Sequence, residues 1–174
     1  MPELEIRFDP EIWQPISGDP AALALMPGPW VGRVSIGPTR DGHESGQRFI
    51  LLTDPVSPAT VLEIDAVPAP GAPVRDAAEI LLAPTRAPDI EDVHIDGVGT
   101  VCRLVQEIPG DDVPEISGGR AVVLGVQYVR SAELAGEAWS ITATAVTSRV
   151  DALNEVAGLI EAILASVVLG AATT

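Results

Sequence analysis

Alternation of apolar and polar residues is clearest near the end of the chain. From Ala138 to Thr147 the odd positions Trp139, Ile141, Ala143 and Ala145 are apolar, and Ser140, Thr142 and Thr144 between them are polar. Side chains alternate faces along a strand, so this segment predicts a strand with one buried face. Ser148 then stands where an N-cap would, with Asp151 three residues on. Val150, Leu153, Val156, Ala157, Ile160, Ile163, Leu164 and Val167 recur at helical spacing, and Gly170 is the expected stop. A long amphipathic helix closing the core is the central structural expectation.

Upstream, the pattern predicts strands at 4–8, 30–36, 48–53, 60–67, 99–108 and 119–130. Val93 to Val98 reads as a tight hairpin with Asp96-Gly97 at its corner. Along 99–108, Val101 and Val105 should face one way and Cys102 and Leu104 the other. Asp19 and Pro20 suit the N-cap and first turn of a short helix ending at Met26. Val74 to Ala83 forms a second helix, with Val74, Ala77, Ala78, Leu81 and Leu82 on one side and Pro84 ending it. Segments 37–47 and 109–114 read as polar loops, and 131–137 as the connector into the last strand. Runs of strands with few helices between them predict an α+β fold: an antiparallel β-sheet with flanking helices and the long C-terminal helix packed on it. At 174 residues a single domain, 1–174, is expected.

The plan of short N-terminal elements, antiparallel meander and closing strand–helix resembles the PsbP-like superfamily, nearest to the soluble region of actinobacterial LpqN-type lipoproteins. The stretches carrying the resemblance are Val122 to Tyr128, Trp139 to Ala145 and Ile160 to Val167, within the C-terminal half. It implies a binding or accessory module, as members of that superfamily mostly are. It assigns no functional residue.

Composition narrows the function further. The formal charge is −15, and all ten basic residues are Arg, with no Lys. With abundant Ala, Val, Gly and Pro, this suggests the coding bias of a high-GC bacterium. The acidic balance and the lack of a basic run argue against nucleic acid and against anionic membrane surfaces. It serves solubility, or it suits a basic partner. The start lacks a basic n-region, an apolar h-region and a lipobox cysteine, and no apolar run is long enough to span a bilayer, so a soluble cytoplasmic protein is the expectation. The single Cys102 excludes an internal disulfide and multi-cysteine metal sites.

Catalytic signatures are sparse. Gly97-Val98-Gly99 begins like a dinucleotide fingerprint, but Cys102 occupies the third glycine's place and a strand follows. No phosphate-binding loop or Gly-x-Ser-x-Gly elbow occurs. His43, beside Glu44 and Ser45, lies in the polar loop at 37–47 and reads as solvent-exposed. His94 shares a strand face with Asp92 and Asp96, which would hold a cation weakly or serve as a polar face. Cys102 reads as a small buried hydrophobe, with Arg103 on the opposite face. Trp13 reads as a plug over one end of the core. Any two of Trp13, Trp30 and Trp139 would mark a ligand or partner groove if they faced a common cleft. The residues open to an interaction role are Trp13, Trp30, His94, Asp111 and Asp112. Catalytic residues, metal ligands and cofactors are not expected. Three readings follow: a non-enzymatic binding or accessory protein with an unidentified protein partner; a small-molecule binder or enzyme with a pocket between sheet and helix; and a homo-oligomer, such as a homodimer, joined through the uncovered sheet face or through the helix back at Leu159, Val168 and Leu169.

Overall fold

The computed structural model describes residues 2–9, 11–15, 31–35, 47–51, 59–70, 73–82 and 90–171. Its elements in chain order are β1 (Pro2–Arg7), β2 (Trp13–Pro15), β3 (Val31–Ser35), β4 (Gln47–Leu51), β5 (Thr60–Pro68), α1 (Val74–Leu81), β6 (Glu91–Ile95), β7 (Gly99–Pro109), α2 (Pro114–Ser117), β8 (Val122–Leu134), β9 (Glu137–Thr147), α3 (Leu153–Ala165) and β10 (Val168–Ala171). Short 3-10 turns at Gly110–Asp112 and Val150–Ala152 precede α2 and α3. The helix expected at 19–26, the loop at 37–46, His43 and Trp30 lie outside the described residues.

The expected α+β class with antiparallel pairing holds, but strands dominate and form two sheets. Seven strands run in the order β2-β4-β5-β9-β8-β7-β6, and a three-stranded sheet has the order β10-β1-β3. Neighbouring strands pair antiparallel throughout both sheets. The register defines the faces of the large sheet. Leu62 pairs with Ala145 and Ile64 with Ala143, and Val126 and Tyr128 pair with the same two alanines from the other side. These residues share one face. It packs with Leu4 and Ile6 of β1 and with Val156, Ile160, Ile163 and Leu164 of α3 into one core. The small alanines of β9 leave room for these larger side chains. Each fully buried aliphatic side chain contributes about 1.5–3 kcal/mol of burial free energy.

The opposite face carries a second, smaller core. Cys102, Leu104 and Val129 pack against Ala78 and Leu82 of α1 and its end, and against Ile90. Val101 lies in the main core and Cys102 and Leu104 in the second, as the expected alternation requires, while Val105, expected beside Val101, is 36% exposed. Both faces of β7 are therefore covered along Val101 to Leu104, where Arg103 is the one charged residue.

The C-terminal segment differs in detail from the helical reading. Ser148 does not cap α3. Its N–H and its hydroxyl both donate to the Ala59 carbonyl, at 2.8 and 3.3 Å, fastening the end of β9 beside the start of β5. Val150 sits exposed in the 3-10 turn, and the N-cap of α3 is Ala152, without a side-chain cap. Nor does Gly170 end the helix. Ser166 does so: its hydroxyl donates 2.6 Å to the Ile163 carbonyl, lies against the Arg7 carbonyl and accepts from the Arg7 N–H at 3.1 Å. Val167 is buried beyond the helix end, and Val168 to Ala171 pair with β1 as β10. Val168 and Leu169 thus belong to a strand, not to the back of a helix. Four residues of extended chain gain ladder bonds to β1 that another helical turn would forgo.

The connector expected at 131–137 is shorter than its polarity suggested. β8 continues to Leu134, and only Ala135 and Gly136 turn the chain back into β9. Both have positive φ, 54° and 82°, as the favoured two-residue hairpin turn demands. The stretch at 109–114 is also more ordered than a loop. Gly110 is buried, and its N–H donates 2.8 Å to the Ala121 carbonyl. The hairpin at 93–98 forms as expected, closed by the Val98 N–H on the Ile95 carbonyl at 3.0 Å, with Gly97 at φ 79°.

Candidate functional site

The densest polar cluster among the described residues sits where α3 crosses β8 and β7. Helical spacing puts Ile160 and Leu164 into the core, and Glu161 beside them follows onto the neighbouring flank of the helix. The Tyr128 hydroxyl, on the core face of β8, donates 2.8 Å to Glu161 Oε1. Arg103 of β7 stands opposite Tyr128 in the register. Its Nη1 lies 3.5 Å from the same Glu161 oxygen. Its Nε and Nη2 both donate to Glu91 Oε2 of β6, at 3.2 and 2.6 Å. Glu91 faces Arg103 directly across the β6–β7 pair. Three strands and the closing helix thus meet in one chain of hydrogen bonds.

Burial and the hydrogen bond to the Glu161 carboxylate push the Tyr128 phenol well above the usual range. Burial works to lower the basicity of Arg103, but its bonds to Glu91 and Tyr128 outweigh that and leave it raised. At neutral pH the phenol is a proton donor and the guanidinium a fixed cation, each already bound to a carboxylate. The arrangement fastens α3 to the sheet, and its groups satisfy one another. Sequence reading paired none of these four residues. The available signal was weak: Glu161 beside the apolar stripe and Tyr128 within an apolar strand.

A second arginine on the core side, Arg130, donates from Nη2 to the Val167 carbonyl. Its Nε is buried without a hydrogen-bond partner among the described residues. Desolvation lowers its basicity. It anchors the chain between α3 and β10.

Of the residues singled out from the sequence, the described ones, Trp13, His94, Asp111 and Asp112, do not converge. Trp13 is 3% exposed and part of the main core, as a plug would be. It sits on β2, at the opposite edge of the large sheet from β6 and His94. Six strand spacings separate them, roughly 29 Å. Asp111 and Asp112 are exposed beyond the far end of β7, roughly 30 Å along the strand from the His94 hairpin. His94 is exposed, with Nε2 4.0 Å from an Asp96 carboxylate oxygen. Asp92 is instead engaged by Arg75 of α1 at 3.2 Å, and it accepts a weak contact from the Cys102 thiol at 3.7 Å. No group of three or more His, Cys, Asp or Glu residues among those described could hold a metal ion. Cys102 is fully buried, and burial, then the Asp92 carboxylate, push its thiol up, away from a reactive thiolate.

The fold and this cluster define an α+β protein of two antiparallel sheets, closed by a C-terminal helix pinned through Tyr128, Arg103 and two glutamates. No protein-family model matches the chain, and no curated protein matches its sequence. No helix among the described residues is long and apolar enough to cross a membrane.

Proposed function

We propose that the protein is a non-enzymatic binding or accessory module that engages a protein partner of basic character. The observation carrying this reading is the closure of its densest polar cluster. Tyr128, Arg103, Glu161 and Glu91 bind one another and hold the scaffold, rather than aiming groups at a substrate. The acidic balance of −15, with Asp96, Asp111, Asp112, Glu133 and Glu137 exposed, supplies a field that favours a basic partner. The reading also draws on the resemblance of Val122 to Tyr128, Trp139 to Ala145 and Ile160 to Val167 to the PsbP-like superfamily, whose members mostly serve as such modules. The reading carries with it a cytoplasmic, bacterial setting.

The test is crosslinked affinity purification from a native high-GC host, followed by reconstitution with the purified partner. One stoichiometric partner is expected, with binding that weakens as salt rises and after Asp111→Lys/Asp112→Lys. No stoichiometric partner, together with a thermal shift by a metabolite, would replace this reading with a small-molecule binder. Val168, 54% exposed on the edge strand β10, favours self-association as a second reading. A monomer mass at every concentration in size-exclusion light scattering removes it.

A further inference from the structure

A polar cleft of about 350 Å³ lies where the loop between β7 and β8 meets the end of β9. Ser117, Gly118 and Arg120 line one side, and Ser148, Arg149 and Asp151 the other. Both walls are fixed by the fold. On the first, a side chain at Gly110 would bring its Cβ to 1.8 Å from the Arg120 carbonyl oxygen, so only glycine permits this close approach. The Arg120 N–H donates to the Ser117 carbonyl at 3.0 Å, and Gly118 takes the left-handed φ of 57° that brings the chain round. On the second, Ser148 is held twice by the Ala59 carbonyl. The Arg149 N–H donates 3.1 Å to Thr147 Oγ1, itself 2.7 Å from Thr60 Oγ1 in a buried pair.

The charges in this cleft run against those of the molecule. The chain carries 25 acidic residues against 10 arginines. Arg7, Arg75, Arg103 and Arg149 are paired with carboxylates. Arg120 is exposed and forms no ion pair among the described residues. Arg149 is bound by Glu155 at 3.1 Å, among other interactions, and that carboxylate is 58% exposed. Arg120 and Arg149 line the cleft from its two sides, and a guanidinium is the side chain best matched to a carboxylate or phosphate. Asp151 adds an acceptor that a bare anion would avoid and a hydroxyl or amino group would seek.

We infer that this cleft binds a small metabolite bearing an oxyanion, a phosphate ester or a carboxylate, together with a hydroxyl or amino group. Arg120 anchors the oxyanion, Arg149 is the second cation, and Asp151 accepts from the donor group. The volume accommodates a small metabolite. The site is separate from the Tyr128 cluster, and it shares the β7–β8 loop with Asp111 and Asp112.

The test is an amide-resolved NMR titration with glycerol 3-phosphate, glycerate and inorganic phosphate at constant ionic strength. Saturable shifts confined to residues 117–120 and 148–151 are expected with glycerol 3-phosphate or glycerate, and which one binds tells phosphate from carboxylate. Arg120→Gln should weaken that binding at least about 10-fold, because a charge-assisted pair is lost. Arg7→Gln, at a surface pair on β1, should leave it unchanged. Asp151→Asn should abolish the preference for glycerol 3-phosphate over inorganic phosphate, or for glycerate over acetate. Shifts that stay linear to about 20 mM, or that survive Arg120→Gln, indicate an adventitious ion only and overturn the assignment. The same spectra report whether each variant is folded.

Discussion

Tyr128→Phe isolates the bond that pins the closing helix to the sheet. The change removes one oxygen from a fully buried side chain and leaves its ring packing in place. A hydrogen bond to a charged acceptor contributes about 1.5–3 kcal/mol. Glu161 keeps Arg103 at 3.5 Å, and its side chain is 26% exposed, so water recovers part of the loss. The expected destabilisation is therefore at the lower end, about 1–2 kcal/mol, or a fall in Tm of roughly 2–8 °C for a chain this long. Urea unfolding followed by tryptophan fluorescence measures it, and a double-mutant cycle with Glu161→Gln isolates the pair. The pH dependence supplies an independent check. The folded phenol is raised above its unfolded value, so the folded state keeps its proton where the unfolded state loses it. Its stabilisation is complete below about pH 10, the ordinary tyrosine value, and is lost as pH rises toward the folded value. Tyr128 is the only tyrosine in the chain, so phenolate absorbance reports it alone. That absorbance should appear only at strongly alkaline pH, together with unfolding. It should appear earlier in Glu161→Gln, because the neighbouring carboxylate helps to raise the phenol. A coupling energy near zero, or ordinary titration near pH 10 in the folded protein, would refute the reasoning.

Three further outcomes follow from the packing. Ala135, at φ 54° in the β8–β9 turn, is the only described non-glycine residue with positive φ, and Ala135→Asn should stabilise by about 0.5–1 kcal/mol, read as a higher urea midpoint. Gly110→Ala must displace the Arg120 carbonyl it would strike and break the 2.8 Å bond to Ala121, costing about 2–4 kcal/mol in the same assay. Cys102, fully buried with a raised thiol, should label with a thiol reagent only as fast as the protein opens, and labelling should accelerate on adding urea; fast native labelling would show that α1 does not cover it.

The local pattern alone settled several elements. Alternation from Ala138 to Thr147 located β9, and the same period separated Val101 from Cys102 and Leu104 on β7. The face of α1 was legible because Ala77, Ala78 and Leu82 share one side at helical spacing. Period and burial are coupled wherever one face is covered, so these could be read without neighbours. The path after Ile163 could not. Val167, Val168 and Leu169 fit a helix as well as a strand, and only the edge of β1 beside them decided for the strand. Ser148 is as good a cap by composition as many, yet the Ala59 carbonyl, 89 residues away in sequence, claims both its donors. The Tyr128 cluster is of the same kind: its four residues come from three strands and a helix, and no spacing along the chain announces them.

What the residue order determined by itself is the α+β class, the antiparallel pairing and most element positions, because these rest on periodicity and turn chemistry within a few residues. What only the tertiary structure decided is the division into two sheets, the end of α3 and the placement of every charged pair across strands. Those depend on which unsatisfied backbone edges and buried polar atoms meet in space, a competition among distant partners that no local pattern records.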